Sequence, residues 1–424
     1  MHAANLRNVL VIGLDVVSLA ASAKRAGYHV YAADFFGDQD LKPLCQKNRS
    51  IIKQRPWKTC GQISTDFNPA ALLQLARALL KMNAIDAALL SSGLDDSLDV
   101  LFELNDVIPI LGNHPNVIQK VRDKMRFFQE LKRLGIPHPE TAFAENYTEA
   151  RDTAKDVDYP VLIKPSQSFG GAGIRKAENP REFAQAFREA SFYDERVLIQ
   201  KYISGTPASA SLISSANGAV ALTLNEQLLG VEAVGQEEPF GYCGNIVPLV
   251  MSRAVTENCK AIVERIAARF GLVGSNGVDF VISQEGTPYV IEVNPRFQGT
   301  LECVERVLGI NIVKTHVQTC SEGTLPTIAK TSQRFCSRLI LFAPQRSLMP
   351  DLTAFKEVSD IPLTSVIVEK GEPVCSIVAE GAERLSSFRS TMIVAESIRK
   401  LLLPVDGGPP ESQARSFQSF GETT

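Results

Sequence analysis

The sequence contains few of the residues on which disulfide-rich and zinc-binding proteins depend. Its 424 residues include eight cysteines, with no CxxC pair and no regular spacing, and five dispersed histidines. This pattern is typical of reduced thiols and argues against a disulfide framework. It also argues against a metal site built from cysteine or histidine.

Long apolar runs and an excess of one charge are also absent. The apolar run that begins at Val9 is interrupted by Asp15, so it indicates a buried strand rather than a signal peptide, and no run is long enough to span a membrane. The formal net charge is −3, which argues against an electrostatic surface for nucleic acid or membrane. We therefore expect a cytoplasmic protein without such partners, in which local charge clusters can still bind small anions.

The length of the chain exceeds what one hydrophobic core usually supports, so several domains are predicted. Residues 1–118 alternate apolar strands with helical segments, among them a helix predicted from Asp95 to Leu104, which predicts a doubly wound α/β domain with a parallel sheet. Residues 321–404 contain prolines between short apolar strands and predict a small β-rich domain with a helix near 391–402. The segment 405–424 is rich in glycine and proline at its start and lacks apolar content, so we expect a disordered tail.

The first domain has two features of a dinucleotide site. Gly13 stands in the turn after the first strand, and Asp34 follows the second strand. The turn lacks the GxGxxG pattern that lets a pyrophosphate approach a helix N-terminus. An enzyme that binds a nicotinamide cofactor stays an alternative. The preferred interpretation is a scaffold whose strand ends contribute to a substrate pocket.

Two lysines, Lys124 and Lys164, lie beside segments that suggest a phosphate site. A single helix is predicted from Pro115 to the residues before Gly135, and Lys124 adjoins its apolar stripe. Lys164 ends a strand predicted at 159–165, and the small-residue loop 166–173 follows it. Such a loop can bring backbone N–H groups close to an anion, although it could also be a plain hairpin connection. The Walker A pattern is absent, and the lysine before the loop favours a mobile phosphate lid.

The most informative stretch is 277–300, GVDFVISQEGTPYVIEVNPRFQGT. Two short apolar runs flank a Gly/Pro turn and predict a β-hairpin that brings Asp279 close to Glu292 and Asn294. Three hard oxygen ligands suit Mg²⁺, which keeps positions for waters and phosphate oxygens. Arg296 follows two residues later, where its planar fork could hold a transferring phosphate. The alternative is a surface hairpin whose acids face water, the simpler interpretation of Asp279 alone.

Taken together, these segments resemble the ATP-grasp superfamily over roughly residues 119–320. The resemblance depends on their order: a helix lysine, a strand lysine before a glycine-rich loop, a hinge strand at 196–200, and a hairpin ending E-x-N-P-R. It implies a preceding α/β domain, a two-lobed ATP-grasp domain and a C-terminal β-rich cap. The stretches 225–230 and 241–245 resemble a little-characterised, biotin-carboxylase-related group of methanogens and methylotrophs.

The resemblance also implies roles for individual residues. Nucleotide phosphates would be neutralised by two lysines and covered by the loop glycines: Lys124, Lys164, Gly170, Gly171 and Gly173. Two Mg²⁺ ions, with Mn²⁺ as a second candidate, would be held by the hairpin: Asp279, Glu292 and Asn294. Arg296 would stabilise acyl-phosphate oxygens. Asp279 departs from the glutamate more usual at the first metal position, so it could bind one ion through water.

Two further groups of residues are implied less directly. The adenine would lie against the hinge, whose main-chain groups would make its hydrogen bonds: Gln200, Lys201 and Ile203. Many relatives have glutamate where this chain has Gln200. The substrate pocket would include Gln227, Tyr242 and Asn245.

The implied chemistry is phosphoryl transfer from ATP to a carboxylate. The acyl phosphate would then react with an amine to form an amide, with release of ADP and phosphate, in a reaction that depends on positioning and charge neutralisation. One alternative is an ATP-dependent carboxylase of the biotin-carboxylase or aminoimidazole-ribonucleotide type, favoured by the cap but lacking a clear bicarbonate-binding signature. Another is a regulatory nucleotide-binding protein, against which the retained metal ligands count. The resemblance further implies a role in cofactor biosynthesis and allows a homodimer.

Overall fold

The computed structural model describes residues 6–62, 64–166, 170–192, 196–328 and 334–406. Two predictions lie wholly or partly outside this part: the centre of the glycine-rich loop, 167–169, and nearly all of the tail, 407–424. Within the described ranges, no helix combines the length and apolarity needed to cross a membrane.

The first part of the chain forms the predicted parallel sheet, with helices on both faces. Its strands lie in the order β3-β2-β1-β4 and are β1 (Asn8–Ile12), β2 (His29–Asp34), β3 (Lys47–Ser50) and β4 (Ala87–Leu90). One face packs against α1 (Val17–Arg25) and the other against α2 (Pro69–Leu80) and α3 (Leu98–Val107). The central strand β1 is buried on both faces from Val9 to Ile12, and these four residues are all apolar. The polar edge strand β3 has no apolar run and was not predicted.

The single helix predicted after Pro115 is wrong, because the segment forms two helices. These are α4 (Pro115–Arg122) and α5 (Lys124–Arg133), separated at Asp123. The backbone of Asp123 leaves the helical region, with ψ at 89°, and its carboxylate accepts a hydrogen bond from the Arg126 N–H at 3.2 Å. An aspartate stabilises a helix start better than a helix interior, so the chain begins a new helix there. Lys124 becomes the first residue of α5.

A small antiparallel sheet follows in the order β5-β8-β6-β7. It consists of β5 (Thr141–Ala144), β6 (Val161–Pro165), β7 (Arg175–Ala177) and β8 (Val197–Lys201). Two helices cover one face of this sheet, α6 (Tyr147–Val157) and α7 (Pro180–Ser191). Each begins at an asparagine whose side chain accepts a backbone N–H of the first turn, which defines where the helix starts.

The largest sheet has eight antiparallel strands in the order β13-β12-β9-β10-β11-β14-β18-β16. The central strands are β9 (Gly205–Ser215), β10 (Gly218–Leu229), β11 (Tyr242–Val247), β12 (Gly274–Ser283) and β13 (Pro288–Asn294). Side chains of β9 alternate, so Ala208 and Ala210 pack with α8 (Arg253–Phe270) while Ser209 and Ser211 face the opposite side. That opposite side carries the candidate site.

The C-terminal strands continue this large sheet, because β11 pairs with β14 (Phe335–Phe342). They are joined by β16 (Val358–Ser359) and β18 (Pro373–Gly381), and α11 (Arg384–Leu401) packs against β14 and β18. A separate three-stranded sheet contains β15 (Ser347–Leu348), β17 (Ile367–Val368) and β19 (Leu403–Pro404). The segment is β-rich as expected, and the domain boundaries at 118, 320 and 404 stay predictions.

Two helices connect the large sheet to the N-terminal one, α9 (Leu301–Leu308) and α10 (Ile312–Glu322). The buried carboxylate of Glu305 on α9 accepts hydrogen bonds from the Ser22 hydroxyl and the Arg25 guanidinium of α1. It also accepts the Ile312 N–H at 2.7 Å, so it joins three helices at once.

We expect Glu305→Ala to lower the free energy of unfolding by roughly 1–3 kcal/mol, because buried donors lose their acceptor. Urea unfolding followed by circular dichroism measures this. Glu103→Ala is the matched control, since Glu103 forms an exposed ion pair with Arg77 that should contribute less than about 1 kcal/mol. Equal losses in the two variants would contradict the connecting role of Glu305.

Candidate active site

One cavity of about 580 Å³ lies between the parallel sheet, the small antiparallel sheet and the large sheet. The loops that follow β1, β2 and β4 line one end of it, through residues that include Asp15, Asp38 and Asp95. The carboxyl ends of parallel strands meet at one edge of a sheet, which explains why these side chains converge. The predicted contribution of the strand ends to a pocket is confirmed.

The hairpin β12–β13 places the predicted metal ligands together. Asp279 lies directly opposite Glu292 across the two strands. Asn294 ends β13, and its side-chain amide donates to Asp279 at 3.0 Å between Nδ2 and Oδ2. The Gln227 side chain, on β10, makes a further hydrogen bond to Asp279. All four side chains line the cavity, so the alternative of acids facing bulk water is not what the structure shows.

The two carboxylates of the hairpin have unequal electrostatic environments. Burial, and then the negative charge of Glu292, raise the pKa of Asp279 above its ordinary value. Burial also raises the pKa of Glu292, but Arg122, Lys124 and Lys164 lower it by more, so its net shift is downward. Glu292 therefore stays ionised, while the repulsion at Asp279 favours a bound cation.

The donor set of the hairpin suits a hard divalent ion. It offers two carboxylates and the amide of Asn294, with Gln227 beside them. Across the described ranges, no group of three or more His, Cys, Asp or Glu side chains is arranged to hold a metal ion. An ion held by Asp279 and Glu292 would need water or phosphate oxygens to complete its coordination, which is the mode typical of Mg²⁺.

Arg296 is held beside the hairpin by a residue of the N-terminal sheet. Its Nε donates to Asp95 Oδ2 at 2.8 Å, and its Nη2 donates to Asn294 Oδ1 at 3.2 Å. Both partners of the Arg296–Asp95 ion pair are largely buried. Asp95 lies outside α3, although the helix was predicted to begin there, and its carboxylate is thereby available to orient the guanidinium.

Arg122 was not predicted as a site residue. Its Nη1 lies 3.7 Å from Glu292 Oε2, and its Nε and Nη2 donate to the two oxygens of Asp96 at 2.7 and 2.6 Å. Arg122 ends α4, two residues before Lys124, so the break at Asp123 places both cations at the cavity. Its position beside Lys124 was the available sequence signal.

The two predicted lysines both reach the cavity. Lys124 begins α5 and Lys164 lies on β6, and both line the cavity together with Glu292. Burial, followed by the neighbouring charge of Lys124, lowers the pKa of Lys164 to about 8, against the opposing influence of Glu292 and Asp279. Two lysines placed together in this way can bind phosphate oxygens.

Gly170 and Gly171, at the end of the glycine-rich loop, contact Tyr242 at the start of β11 and Phe240 just before it. Gly170 and Gly171 line the cavity, whereas Gly173 does not belong to its lining. The Gly170 carbonyl accepts the Tyr242 N–H at 2.8 Å. Gly171 has φ of +82°, and a Cβ there would lie 2.0 Å from the Phe240 carbonyl oxygen, so only glycine fits this close approach.

The hinge after β8 offers backbone groups to a ligand. Gln200 is buried and donates to the Thr141 hydroxyl at 2.8 Å, while the ammonium of Lys201 turns away toward the carbonyls of Asp158 and Tyr159. Within the part of the chain that the structure describes, the Ile203 N–H has no acceptor. Gln200, Lys201 and Ile203 all line the cavity, as do apolar side chains including Leu162 and Phe280.

The predicted substrate-pocket residues are only partly brought together. Gln227 and Tyr242 line the cavity, but Asn245 does not; its amide donates to the Tyr242 hydroxyl at 2.7 Å from behind. The sequence analysis missed Arg338, which lies opposite Asn245 on β14 and lines the cavity. No local motif surrounds Arg338, because only the pairing of β11 with β14 brings it there.

The two sequence features that suggested a nicotinamide cofactor, Gly13 and Asp34, both have structural roles. Asp34 is buried, and its carboxylate accepts the Gly37 N–H at 2.7 Å and the Ser50 hydroxyl at 2.6 Å, so it holds the loop after β2. A Cβ on Gly13 would lie 2.7 Å from both Ser91 Cβ and the Ser92 carbonyl oxygen. Close packing between loops accounts for that glycine without a ligand.

Comparison with known proteins agrees with this geometry. The ATP-grasp domain family matches residues 121–300. An uncharacterised protein of Methanocaldococcus jannaschii is 26% identical over 375 residues, covering 88% of each chain. The carbamoyl phosphate synthase large chain of Pyrococcus furiosus is 30% identical over 227 residues, which are 52% of this chain and 20% of that protein. The chain therefore spans about a fifth of the length of that synthase.

A solved structure shows the same fold. The biotin carboxylase domain dimer of the Hydrogenobacter thermophilus 2-oxoglutarate carboxylase, in complex with MgADP, ADP and bicarbonate, has a TM-score of 0.70 and 18% identity. The match covers 94% of this chain and 90% of that chain. The expected combination of a doubly wound N-terminal part, two ATP-grasp lobes and a C-terminal β-rich segment is confirmed as an ATP-grasp fold.

We expect the affinity for MgATP to fall as the pH rises through about 8. Lys164 with a pKa of about 8 is protonated below that pH and neutral above it, so nucleotide binding must take up a proton at higher pH. The affinity should fall by up to about tenfold per pH unit until the pKa of the bound state is reached. Isothermal titration calorimetry between about pH 7 and pH 10 measures this. Lys164→Met should bind more weakly with a flatter profile, and an equally steep profile in that variant would assign the proton elsewhere.

Proposed function

We propose, on the premise that residues 121–300 form an ATP-grasp domain, that this chain is an ATP-dependent carboxylate-amine ligase. It would transfer the γ-phosphoryl group of ATP to a carboxylate and release ADP, and an amine would convert the acyl phosphate to an amide and phosphate. The observation that carries the proposal is the meeting of Lys124 and Lys164 with the Asp279–Glu292 pair and Arg296 in one cavity. Phosphoryl transfer depends on this combination of positioning and charge.

Each part of the cavity would have a distinct task. The Ile203 N–H and the apolar side chains of the cavity would bind the adenine. Lys124 and Lys164 would hold the phosphates beneath Gly170 and Gly171. Asp279, Glu292 and Asn294 would hold Mg²⁺, or Mn²⁺, which neutralises phosphate charge when bound. Arg296, oriented by Asp95, would stabilise the oxygens of the transferred group.

The bond changes of the second step balance without a further cofactor. The amine nitrogen attacks the carbonyl carbon of the acyl phosphate and forms the C–N bond. The C–O bond to phosphate breaks, and the phosphate leaves with the electron pair. The proton lost by the nitrogen passes to water or phosphate.

A carboxylase is the second candidate, favoured by the similarity to the bicarbonate-bound biotin carboxylase domain. In that reaction bicarbonate, an anion, would occupy the cavity beyond Arg296. Asp15, Asp38 and Asp360 line this region, and Arg338 forms ion pairs with Asp15 and Asp360. The excess of carboxylates would repel an anion at this end of the cavity and would attract the amine of the ligase reaction.

A homodimer forms part of the proposal, because the biotin carboxylase domain with this fold is a dimer. Mass photometry at several protein concentrations would test it. A role in cofactor biosynthesis stays an expectation that the substrate identities would decide.

The experiment that tests the function measures ADP and phosphate release with MgATP against an array of carboxylates, amines, amino acids and bicarbonate. Product masses are recorded in parallel. We expect release that needs both a carboxylate and an amine, with a product lighter than their sum by one water. Release that needs bicarbonate, with carbon dioxide added to the acceptor, would establish the carboxylase. Tight ATP binding without release across the array would favour the regulatory alternative.

We expect Glu292→Gln and Lys164→Ala each to lower the rate of ADP release by at least about 100-fold, because charge neutralisation in the transition state is lost. Glu285→Gln is the matched control, since Glu285 is exposed in the turn of the same hairpin. Circular dichroism confirms folding of each variant. Unchanged ATP consumption in Glu292→Gln or Lys164→Ala would refute the assigned site.

A further inference from the structure

A second group of charged side chains lies where the cavity meets the parallel sheet and the C-terminal strands. Asp15 follows β1, Asp38 follows β2 and Asp360 follows β16, and all three line the cavity. Arg338 contacts two of them, with its Nη2 at 3.1 Å from Asp15 Oδ2 and at 2.8 Å from Asp360 Oδ2. Asp40 stands directly behind and accepts the backbone N–H of Asp360 at 3.0 Å. Two carboxylates therefore pair with the guanidinium, and Asp38 and Asp40 add negative charge beside them.

Arg338 cannot satisfy this group, because most of its N–H groups already have acceptors. Its Nε and Nη2 lie 3.2 and 2.8 Å from the Ser376 hydroxyl, and its Nη1 donates to the Gly299 carbonyl at 2.9 Å. The side chain is only 5% exposed and is held on every side. Its orientation is thus determined by the protein, and among the residues that the structure describes Asp38 forms no ion pair with a cation.

Two residues that line this end of the cavity have unsatisfied side-chain atoms, and both atoms are hydrogen-bond acceptors. In the part of the chain that the structure describes, Asp360 Oδ1 and Gln62 Oε1 are buried and have no hydrogen-bond partner. Asp38 is 95% buried, and its side chain accepts one long hydrogen bond, from Gln54 Nε2 at 3.4 Å. Because buried polar atoms in folded proteins nearly always have partners, this end of the cavity lacks donors. We call Asp15, Asp38, Gln62 and Asp360 the acidic subsite.

The charges within the acidic subsite also favour a bound cation. Burial, and then the surrounding aspartates, raise the pKa of Asp38 well above its ordinary value. Burial and the charge of Asp15 likewise raise the pKa of Asp360, against the opposing charge of Arg338. A cation bound among these groups would relieve the repulsion between them and would be strongly favoured in a site of low polarity.

The acidic subsite suits an ammonium group better than a metal ion, because its acceptors come from separate loops rather than from a pair that faces across one hairpin. An ammonium group needs separated acceptors in a roomier arrangement, since it donates three hydrogen bonds and requires no coordination shell. The acidic subsite provides carboxylates from three different loops and the amide oxygen of Gln62.

The acidic subsite also adjoins the place where the amide would form. The Gly299 carbonyl that accepts from Arg338 belongs to the segment that begins with Arg296, three residues earlier. Both arginines line the same cavity. A ligand anchored at the acidic subsite can therefore extend toward the group held by Arg296.

We propose that the acidic subsite binds the non-reacting ammonium group of the amine substrate, which is therefore a diamine or a diamino acid. This inference rests on the proposed ligase function. One amino group reacts with the acyl phosphate, and the second is held by Asp38 and Asp360. Specificity follows because a monoamine would leave the buried carboxylates unpaired.

The test compares isosteric amine pairs by direct binding and by turnover. Isothermal titration calorimetry uses α,ω-diaminoalkanes of two to six carbons, ornithine and lysine, each against the matching monoamine or norvaline and norleucine. We expect at least one diamine or diamino acid to bind about tenfold or more tightly than its partner that lacks the second amino group. Equal binding within every pair, or no binding by any amine, would overturn the proposal.

Two variants assign the preference to the subsite. Asp38→Asn and Asp360→Asn should each abolish the difference within the pair while MgATP affinity is retained. Asp360 has φ of +56°, a conformation that asparagine tolerates, so its substitution keeps the backbone. Asp351→Asn, at an exposed position in a C-terminal loop, should leave the preference intact. A preference that survives both subsite substitutions would refute the assignment.

Turnover measurements distinguish a failure of the acidic subsite from a failure of the proposed ligase function. ADP release with a carboxylate and any monoamine, without preference for the diamine, would support the ligase and overturn the acidic subsite. Preferential diamine binding that never leads to amide formation would support the subsite and overturn the ligase.

Discussion

The antiparallel pairing of β12 with β13 is the constraint on which the rest of the site depends. It places Asp279 opposite Glu292 inside a cavity, where two carboxylates repel each other strongly. The structure balances this with cations from three different elements, at the end of α4, the start of α5 and on β6. A site that gathers positive groups around an acidic pair binds phosphate and a divalent ion together more easily than either alone. The hairpin end of the cavity is organised by that balance of charges.

The opposite end of the cavity has the reverse balance. Around Arg338, carboxylates outnumber the cation, and acceptors without donors remain. One cavity thus has an end where cations balance the carboxylates and an end that is short of positive charge. Such a gradient would orient two substrates of opposite charge, a phosphorylated one at the hairpin and an ammonium at the acidic subsite. The hairpin arginine, Arg296, lies between the two ends and is held by Asp95.

Local sequence signals predicted those parts of the site that lie within one element. The hairpin ligands are separated by a short turn, and strand alternation alone brings Asp279 and Glu292 to one face. The break at Asp123 was missed because an aspartate followed by helix-forming residues is compatible with both one helix and two. The polar strand β3 was missed because an edge strand needs no apolar run. Asp95 was assigned to a helix, since nothing local shows that its carboxylate binds an arginine 201 residues away.

The sequence by itself determined the parallel sheet at the start, the order of the ATP-grasp elements, and the hairpin with its three oxygen ligands. Those features follow from hydrophobic periodicity and from turn residues, which act over a few positions. Only the tertiary structure decided which side chains complete the cavity. Arg338 comes to it because β11 pairs with β14, and Asp15 and Asp38 come to it because parallel strands end at one edge. Contacts between residues hundreds of positions apart depend on sheet order and packing, and no local pattern records them.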